Sequence, residues 1–142
     1  MISIFVPGLP VAQPRAKAVA FGGRARVYNP GTANEWKACV IHAFKSEAGA
    51  FKEGVPVRLV MHFHLPRPNG HFGSGKNSEK LKPSAPSHHT KKPDADNLAK
   101  AVMDALTAAG VWVDDSQVAV SMTVKLYADG PTGCRIMLEE MK

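Results

Sequence analysis

Hydrophobic and polar positions alternate most strictly between Val57 and Leu65. Val57, Leu59, Met61, Phe63 and Leu65 fall on one side of an extended chain, Arg58, His62 and His64 on the other, and Pro66 ends the run. This predicts a strand. The same period of two in Ile2, Ile4 and Val6 predicts a short first strand, and Val118, Val120, Met122, Val124 and Leu126 share one face of a longer one. After the turn residues "ADGPTG", the stretch "CRIMLEEM" predicts a closing strand antiparallel to the one before it. "KAVAFGGRARVY" predicts a hairpin around Gly22-Gly23.

A helical period marks two further stretches. Trp36, Val40 and Phe44 recur every fourth residue, and Thr32 with Glu35 has capping-box spacing, which predicts a helix over 33–48 with Gly49 as its stop. "DNLAKAVMDALTAAG" predicts a second helix of about 14 residues ending at Gly110. With no internal repeat, residues 1–142 read as a single α+β domain: a mixed sheet with two main helices. The tryptophans Trp36 and Trp112 read as core, and Cys39 and Cys134, which lack metal-type spacing, as free thiols.

Composition shifts between Pro66 and Pro93. That stretch is rich in Pro, Gly, Ser and His and reads as a long basic loop, at least partly mobile. It carries Arg67, Lys76, Lys80, Lys82, Lys91 and Lys92 against Glu79 alone, nearly the whole formal charge of +6. The hairpin adds Arg15, Lys17, Arg24 and Arg26 with no acid among them. Cations gathered in two places favour a polyanionic partner. No run approaches the roughly 18 apolar residues of a membrane span, and the opening "MISIFVPGLP" lacks the basic start of a signal peptide, so the expected location is the cytoplasm.

Against this background "KKPDADNLAKAVMDALTAAGVWVDDSQV" concentrates five of the twelve acidic residues, Asp94, Asp96, Asp104, Asp114 and Asp115. With Asp96 at the origin of a helical wheel, Lys100 falls at about 40°, Asp104 at about 80° and Asn97 at about 100°, opposite an apolar face of Leu98, Val102, Ala105 and Leu106. An ordinary structural role competes here: one Asp as a cap, a solvated ion-pair row, turn residues. Capping explains only one of Asp94 and Asp96, however, and "VWVDD" sets two carboxylates directly after an apolar run, where unpaired charge is costly. A divalent cation is the economical counter-ion, and all-oxygen donors favour Mg²⁺ or Mn²⁺. His88 and His89 are a weaker metal candidate, and His62 and His64 could face a bound nucleic acid.

The segment "DADNLAKAVMDALTAAGVWVDDSQV" closely resembles the central motif of the RusA family of Holliday junction resolvases. Asp94, Asp96, Asn97 and Lys100 fill its first part, Asp104, Ala105, Leu106 and Gly110 its second, and Asp114, Asp115 and Val118 its third. The likeness is strong from about 93 to 127 and weaker over "QPRAKAVAFGGRARVYNP", which is similar to that family's basic hairpin; the long 66–92 loop departs from its compact members. The resemblance implies a metal-dependent endonuclease making paired cuts in four-way DNA junctions as a homodimer, in a bacterial host and encoded by a phage or prophage. It further implies Asp94, Asp96 and Asp115 as metal-binding acids, Asp114 as their close supporter and Lys100 as a catalytic lysine. Two other readings stay open: a nuclease of broader branched-DNA specificity, acting on flaps or forks, and a structure-selective DNA binder without catalysis.

A geometric difficulty accompanies this reading. The second helix rises roughly 20 Å, and Asp115 lies past its far end. It rejoins Asp94 only if residues 110–115 double back nearly extended, or if a second subunit supplies it.

Overall fold

A computed structural model describes residues 1–28 and 31–142, with the side chains of residues 17–19, 21 and 25–28 outside that description. Its strands are β1 (Ile2–Pro7), β2 (Lys17–Phe21), β3 (Arg24–Tyr28), β4 (Val57–Leu65), β5 (Val118–Tyr127) and β6 (Gly133–Glu140). Its two α-helices are α1 (Asn34–Ala43) and α2 (Ala95–Ala108). Four strands form one mixed sheet in the order β1-β6-β4-β5, and β2 and β3 form a separate hairpin. The expected α+β architecture is therefore present. No helix among the described residues is long and apolar enough to cross a membrane.

The alternation of β4 works as expected. Val57, Leu59, Met61 and Phe63 are fully buried and face the helices, together with Cys134, Ile136 and Leu138 of β6. Trp36, Val40 and Phe44 of the α1 segment close that core from above, beside Leu98, Val102 and Leu106 of α2. Each such side chain contributes about 1.5–3 kcal/mol by leaving water.

Three expectations need correction. The closing strand β6 does not pair with β5; it lies between β1 and β4, antiparallel to both, and β5 runs parallel to β4. Residues 128–132 carry the chain across the end of β4, a step of two strand spacings, or about 10 Å, that five residues span easily. Centrality follows burial: β6 has fully buried residues on its helix side, whereas β5 is exposed from Ala119 to Met122. Secondly, the predicted face of β5 divides: a bulge at Ala119 sets Val118 opposite Val57 on the helix side, against the core, whereas Val120, Met122, Val124 and Leu126 lie on the other face, with Met122 and Val124 opposite Val60 and His62. Thirdly, α1 ends at Ala43 and continues only as a 3₁₀ turn at Lys45–Glu47, so Gly49 is not its stop. Thr32 does not cap α1 either; Ala33 occupies that position, is buried, and the first turn closes through Lys37 N donating to Ala33 O at 2.9 Å.

One close approach fixes the β1–β6 pairing. At Gly133 (φ +155°) a Cβ would collide with the Val6 carbonyl oxygen.

Candidate active site

Burial of Leu98, Ala101, Val102, Ala105 and Leu106 fixes the rotation of α2, which turns Asp96, Lys100 and Asp104 outward. Lys100 Nζ lies 2.9 Å from Asp104 Oδ1 and 3.5 Å from Asp115 Oδ2. From α1, Lys37 Nζ adds a second cation 3.7 Å from Asp104 Oδ2. The hydrogen bond to Asp104, assisted by the charges of Asp104 and Asp115, raises the Lys100 pKa above its ordinary value.

Asp115 thus reaches α2 within one chain. The reversal begins at Gly110, whose φ of +74° any other residue would adopt only with strain. Val111 N then donates to Leu106 O, and Phe51 N to Val111 O. Val111 and Trp112 are buried, and Trp112 Nε1 donates to Thr107 Oγ1 at 2.7 Å. The returning strand of chain is held by Gln117. Its Oε1 accepts from Val113 N and Asp114 N, and its Nε2 donates to Lys52 O and Val55 O. Asp114 Oδ1 accepts from Ser116 N at 2.9 Å and completes a capping box with Gln117 over Asp115–Gln117. That backbone hydrogen bond lowers the Asp114 pKa. Asp114 therefore shapes the turn that presents Asp115.

At the other end of α2, Asp94 is the residue before the first turn, and its carboxylate makes no cap hydrogen bond. Among the described residues Asp96 Oδ1 accepts only from the neighbouring Asn97 N, at 3.0 Å. Here the backbone is what is held. Lys125 Nζ donates to Lys91 O at 2.6 Å and Pro93 O at 2.7 Å, and Gln13 N donates to Asn97 O at 2.9 Å. Gln13, Arg15, Lys92, Asp94 and Asn97 line an open cleft of ≈ 710 Å³. Among the described residues no three His, Cys, Asp or Glu side chains stand close enough together to hold one ion.

The remaining predicted cations divide. Arg15, Arg24, Lys76, Lys91 and Lys92 are exposed. Lys17 and Arg26 have side chains outside the described residues. Arg67, expected at a phosphate, is turned inward, with only 5% of its side chain exposed. Its guanidinium donates to Asp129 Oδ1 at 3.0 Å and Pro86 O at 2.7 Å and lies over the Tyr127 ring, so it ties the loop to the sheet. His71 and His89 pack on the same ring. His88 bridges Leu126 of β5 and has no metal-type neighbours among the described residues. Sequence reasoning missed Gln117, Lys125 and Gln13. Only Gln117 carried a signal, three residues after Asp114 in capping-box spacing.

The match to known proteins agrees with this geometry. The endodeoxyribonuclease RusA family model matches residues 7–139. The chain is 29% identical over 140 residues to an uncharacterized protein, YqaN, of Bacillus subtilis, covering 99% of this chain and 96% of that one. It is 58% identical over 33 residues to the crossover junction endodeoxyribonuclease RusA of Escherichia coli K12, covering 23% of this chain and 28% of that protein. The RusA protein of Shigella sonnei matches to the same extent. With nearly its whole length matched, the chain belongs to the RusA family of endodeoxyribonucleases.

Proposed function

We propose that this endonuclease resolves four-way DNA junctions by paired, metal-dependent phosphodiester hydrolysis as a homodimer. The observation that carries the reading is the approach of Asp115 to Lys100 within one chain, on the outward face of the helix that begins at Asp94 and Asp96. Among the described residues neither Asp94 nor Asp96 makes a tertiary hydrogen bond or ion pair, which leaves both carboxylates open to a ligand. The donor set is all oxygen and suits Mg²⁺ or Mn²⁺. Asp94, Asp96 and Asp115 would hold the ion once their side chains converge, with Asp114 supporting them through the turn it caps. A bound ion of this kind lowers the pKa of its water and offsets charge on the phosphate.

The chain's own residues do the rest. Lys100, held protonated by Asp104 and Asp115, is a poor proton donor and a good fixed cation. Its role is to bind the scissile phosphate and stabilise the charge that develops there. The exposed cations Arg15 and Lys92 line the Asp94 cleft, exposed Lys91 precedes Lys92 in the chain, and together they steer the backbone into it. On this reading the protein acts in the cytoplasm of a bacterial host, encoded by a phage or prophage.

Incubation with synthetic four-way junction, fork, flap and linear duplex, with Mg²⁺ and with EDTA, tests this. Symmetric paired incisions in the junction alone, abolished by EDTA, are expected. Equal cutting of forks or flaps would replace the reading with a broader branched-DNA nuclease.

A further inference from the structure

The sheet face turned away from the helices carries a recess that the Asp94 and Lys100 chemistry does not use. Arg135 of β6 lies between Phe5 of β1 and His62 of β4. Two residues along β4, His64 stands between Gly133 of β6 and Leu126 of β5. His64 and Arg135 alternate with the buried Phe63, Leu65, Cys134 and Ile136, so they point away from α1 and α2. Gly133 has no side chain, and the Phe5 ring leans across it to meet His64 edge to face, with ring centroids 5.9 Å apart. Ser87, Asp129 and Pro131 help close the recess, whose volume of ≈ 460 Å³ falls in the range of small-ligand sites.

Its chemistry suits a ligand that is flat at one end and anionic at the other. The half-buried Arg135 guanidinium lies 5.5 Å from the centre of the Phe5 ring and has no carboxylate partner among the described residues. A cation drawn partly out of water without a partner is costly, and a phosphate would offset that cost. Asp129, the one carboxylate among the described lining residues, is already engaged by Arg67. Burial, with the nearby charges of His62 and Arg135, lowers the His64 pKa, so its ring is neutral at pH 7 and serves as an aromatic wall. Aromatic and aliphatic walls beside one free guanidinium match a nucleobase and its phosphate.

Position selects the source of that nucleotide. Ser87 at the recess and Lys92 at the Asp94 cleft belong to one stretch of chain laid along β5. Tyr127 N donates to Ser87 O, His89 N to Lys125 O, and Lys125 Nζ to Lys91 O. The stretch from Ser87 to Asp94 spans at most about 25 Å. Recess and cleft therefore lie near the same end of the sheet, with the exposed Lys91 and Lys92 between them along the chain.

We propose that the recess takes one unpaired nucleotide of a DNA strand that leaves the Asp94 cleft and rounds the end of the sheet. Its base packs against Phe5, His64 and Leu126, and its phosphate meets Arg135. The inference rests on the proposed function for the strand in the cleft. A branch point or a strand end supplies an unstacked base more cheaply than a linear duplex does, so the recess favours branched DNA.

Binding of oligothymidylate in EDTA tests this without any cleavage step, so its outcome is separate from that of the junction assays. A strand carrying 5-iodouracil should cross-link on irradiation to Phe5, His64 or Tyr127, located by peptide mass mapping. Cross-links confined to other residues overturn the proposal. Arg135→Gln should weaken oligothymidylate binding about tenfold and linear duplex binding no more than about twofold. Equal losses with both would make Arg135 a plain phosphate contact and overturn it. Arg58→Gln removes the same charge from the same face about 20 Å away along β4, and should change strand binding by less than about twofold. A loss as large as that of Arg135→Gln counts against the recess. Phe5→Trp keeps a flat ring in place, and the bound strand should quench its fluorescence; unchanged emission in the complex overturns the stacking. Thymidine monophosphate binding as tightly as the strand would assign the recess to a free nucleotide and overturn the DNA reading.

Discussion

Two pairs of aspartates bracket α2, and they are built in opposite ways. At Asp114–Asp115 the side chains are fixed: Asp114 caps a turn, Gln117 clamps the backbone on both sides, and Asp115 is aimed at Lys100. At Asp94–Asp96 the backbone is fixed, by Lys125 and Gln13, while the carboxylates have no tertiary partner among the described residues. A carboxylate already bonded within its own turn serves the fold. One held in place by its backbone, with its oxygens free, can serve a ligand. The first pair reads as scaffold for Asp115, the second as the open half of a donor set.

The largest effect should come from the open pair. Asp94→Asn or Asp96→Asn keeps shape and removes one charge, so junction cleavage in Mg²⁺ should fall by about 10³-fold or more. Binding to the junction, measured in Ca²⁺ or EDTA, should hold or tighten, because repulsion of phosphate is relieved. Asp114→Asn is the contrasting case. Asn caps as well as Asp, so cleavage and melting temperature should both stay near wild type. Equal losses at Asp94 and Asp114 would erase the distinction between the two pairs.

Next in size is the clamp. Gln117 is 9% exposed and makes four hydrogen bonds to backbone groups. Gln117→Leu keeps the volume and leaves those groups unpaired, at a cost of about 3 kcal/mol. Urea unfolding should show this loss, and cleavage at a temperature where the variant remains folded should fall because Asp115 is loosened. A variant as stable as wild type would show that the turn does not depend on the clamp.

The sequence made one half of this comparison legible. Helical spacing alone set Asp96, Lys100 and Asp104 on one face, and the apolar "VW" before Asp114 pointed to a buried return. The clamp and the Lys125 anchor were not legible because their partners are backbone carbonyls far along the chain, such as Lys52 from Gln117 and Lys91 from Lys125. Strand pairing failed for a related reason. β5 and β6 both alternate, and "ADGPTG" suits a tight hairpin as well as the crossing over β4 that it makes. The row Val118 to Leu126 was read as one face, but the bulge at Ala119 turns Val118 to the other side, because strict alternation in the sequence carries no sign of a bulge, nor of which face is covered.

A smaller effect separates the cations of the helix face. Lys100→Ala should lower cleavage about tenfold to a hundredfold, with little change in binding. Asp104→Asn should cost less, since Asp115 still holds Lys100. Because the folded-state pKa of Lys100 lies above its unfolded value, the stability it contributes is complete below the ordinary lysine pKa, about 10.4. It is lost only as pH rises through the still higher folded value. The difference in melting temperature between wild type and Lys100→Ala should therefore stay constant from about pH 6 to 9. A difference that shrinks toward pH 9 would mean that Asp104 and Asp115 do not hold the ammonium.

The smallest effect distinguishes cations that bind DNA from one that binds the protein itself. Each phosphate neutralised contributes about −0.9 to the slope of log affinity against log salt. Lys91 and Lys92 are exposed and Lys92 lines the Asp94 cleft, so Lys91→Gln with Lys92→Gln should flatten the slope by about 2. Arg67 has the same charge but directs it at Asp129, Pro86 and Tyr127. Arg67→Gln should leave the slope unchanged. It should instead lower the melting temperature, because a nearly buried guanidinium site loses its partners. If Arg67→Gln flattens the slope as a lysine substitution does, its guanidinium leaves the loop on binding and joins the phosphate contacts. The contrast between held and free cations in the 66–93 segment would then dissolve.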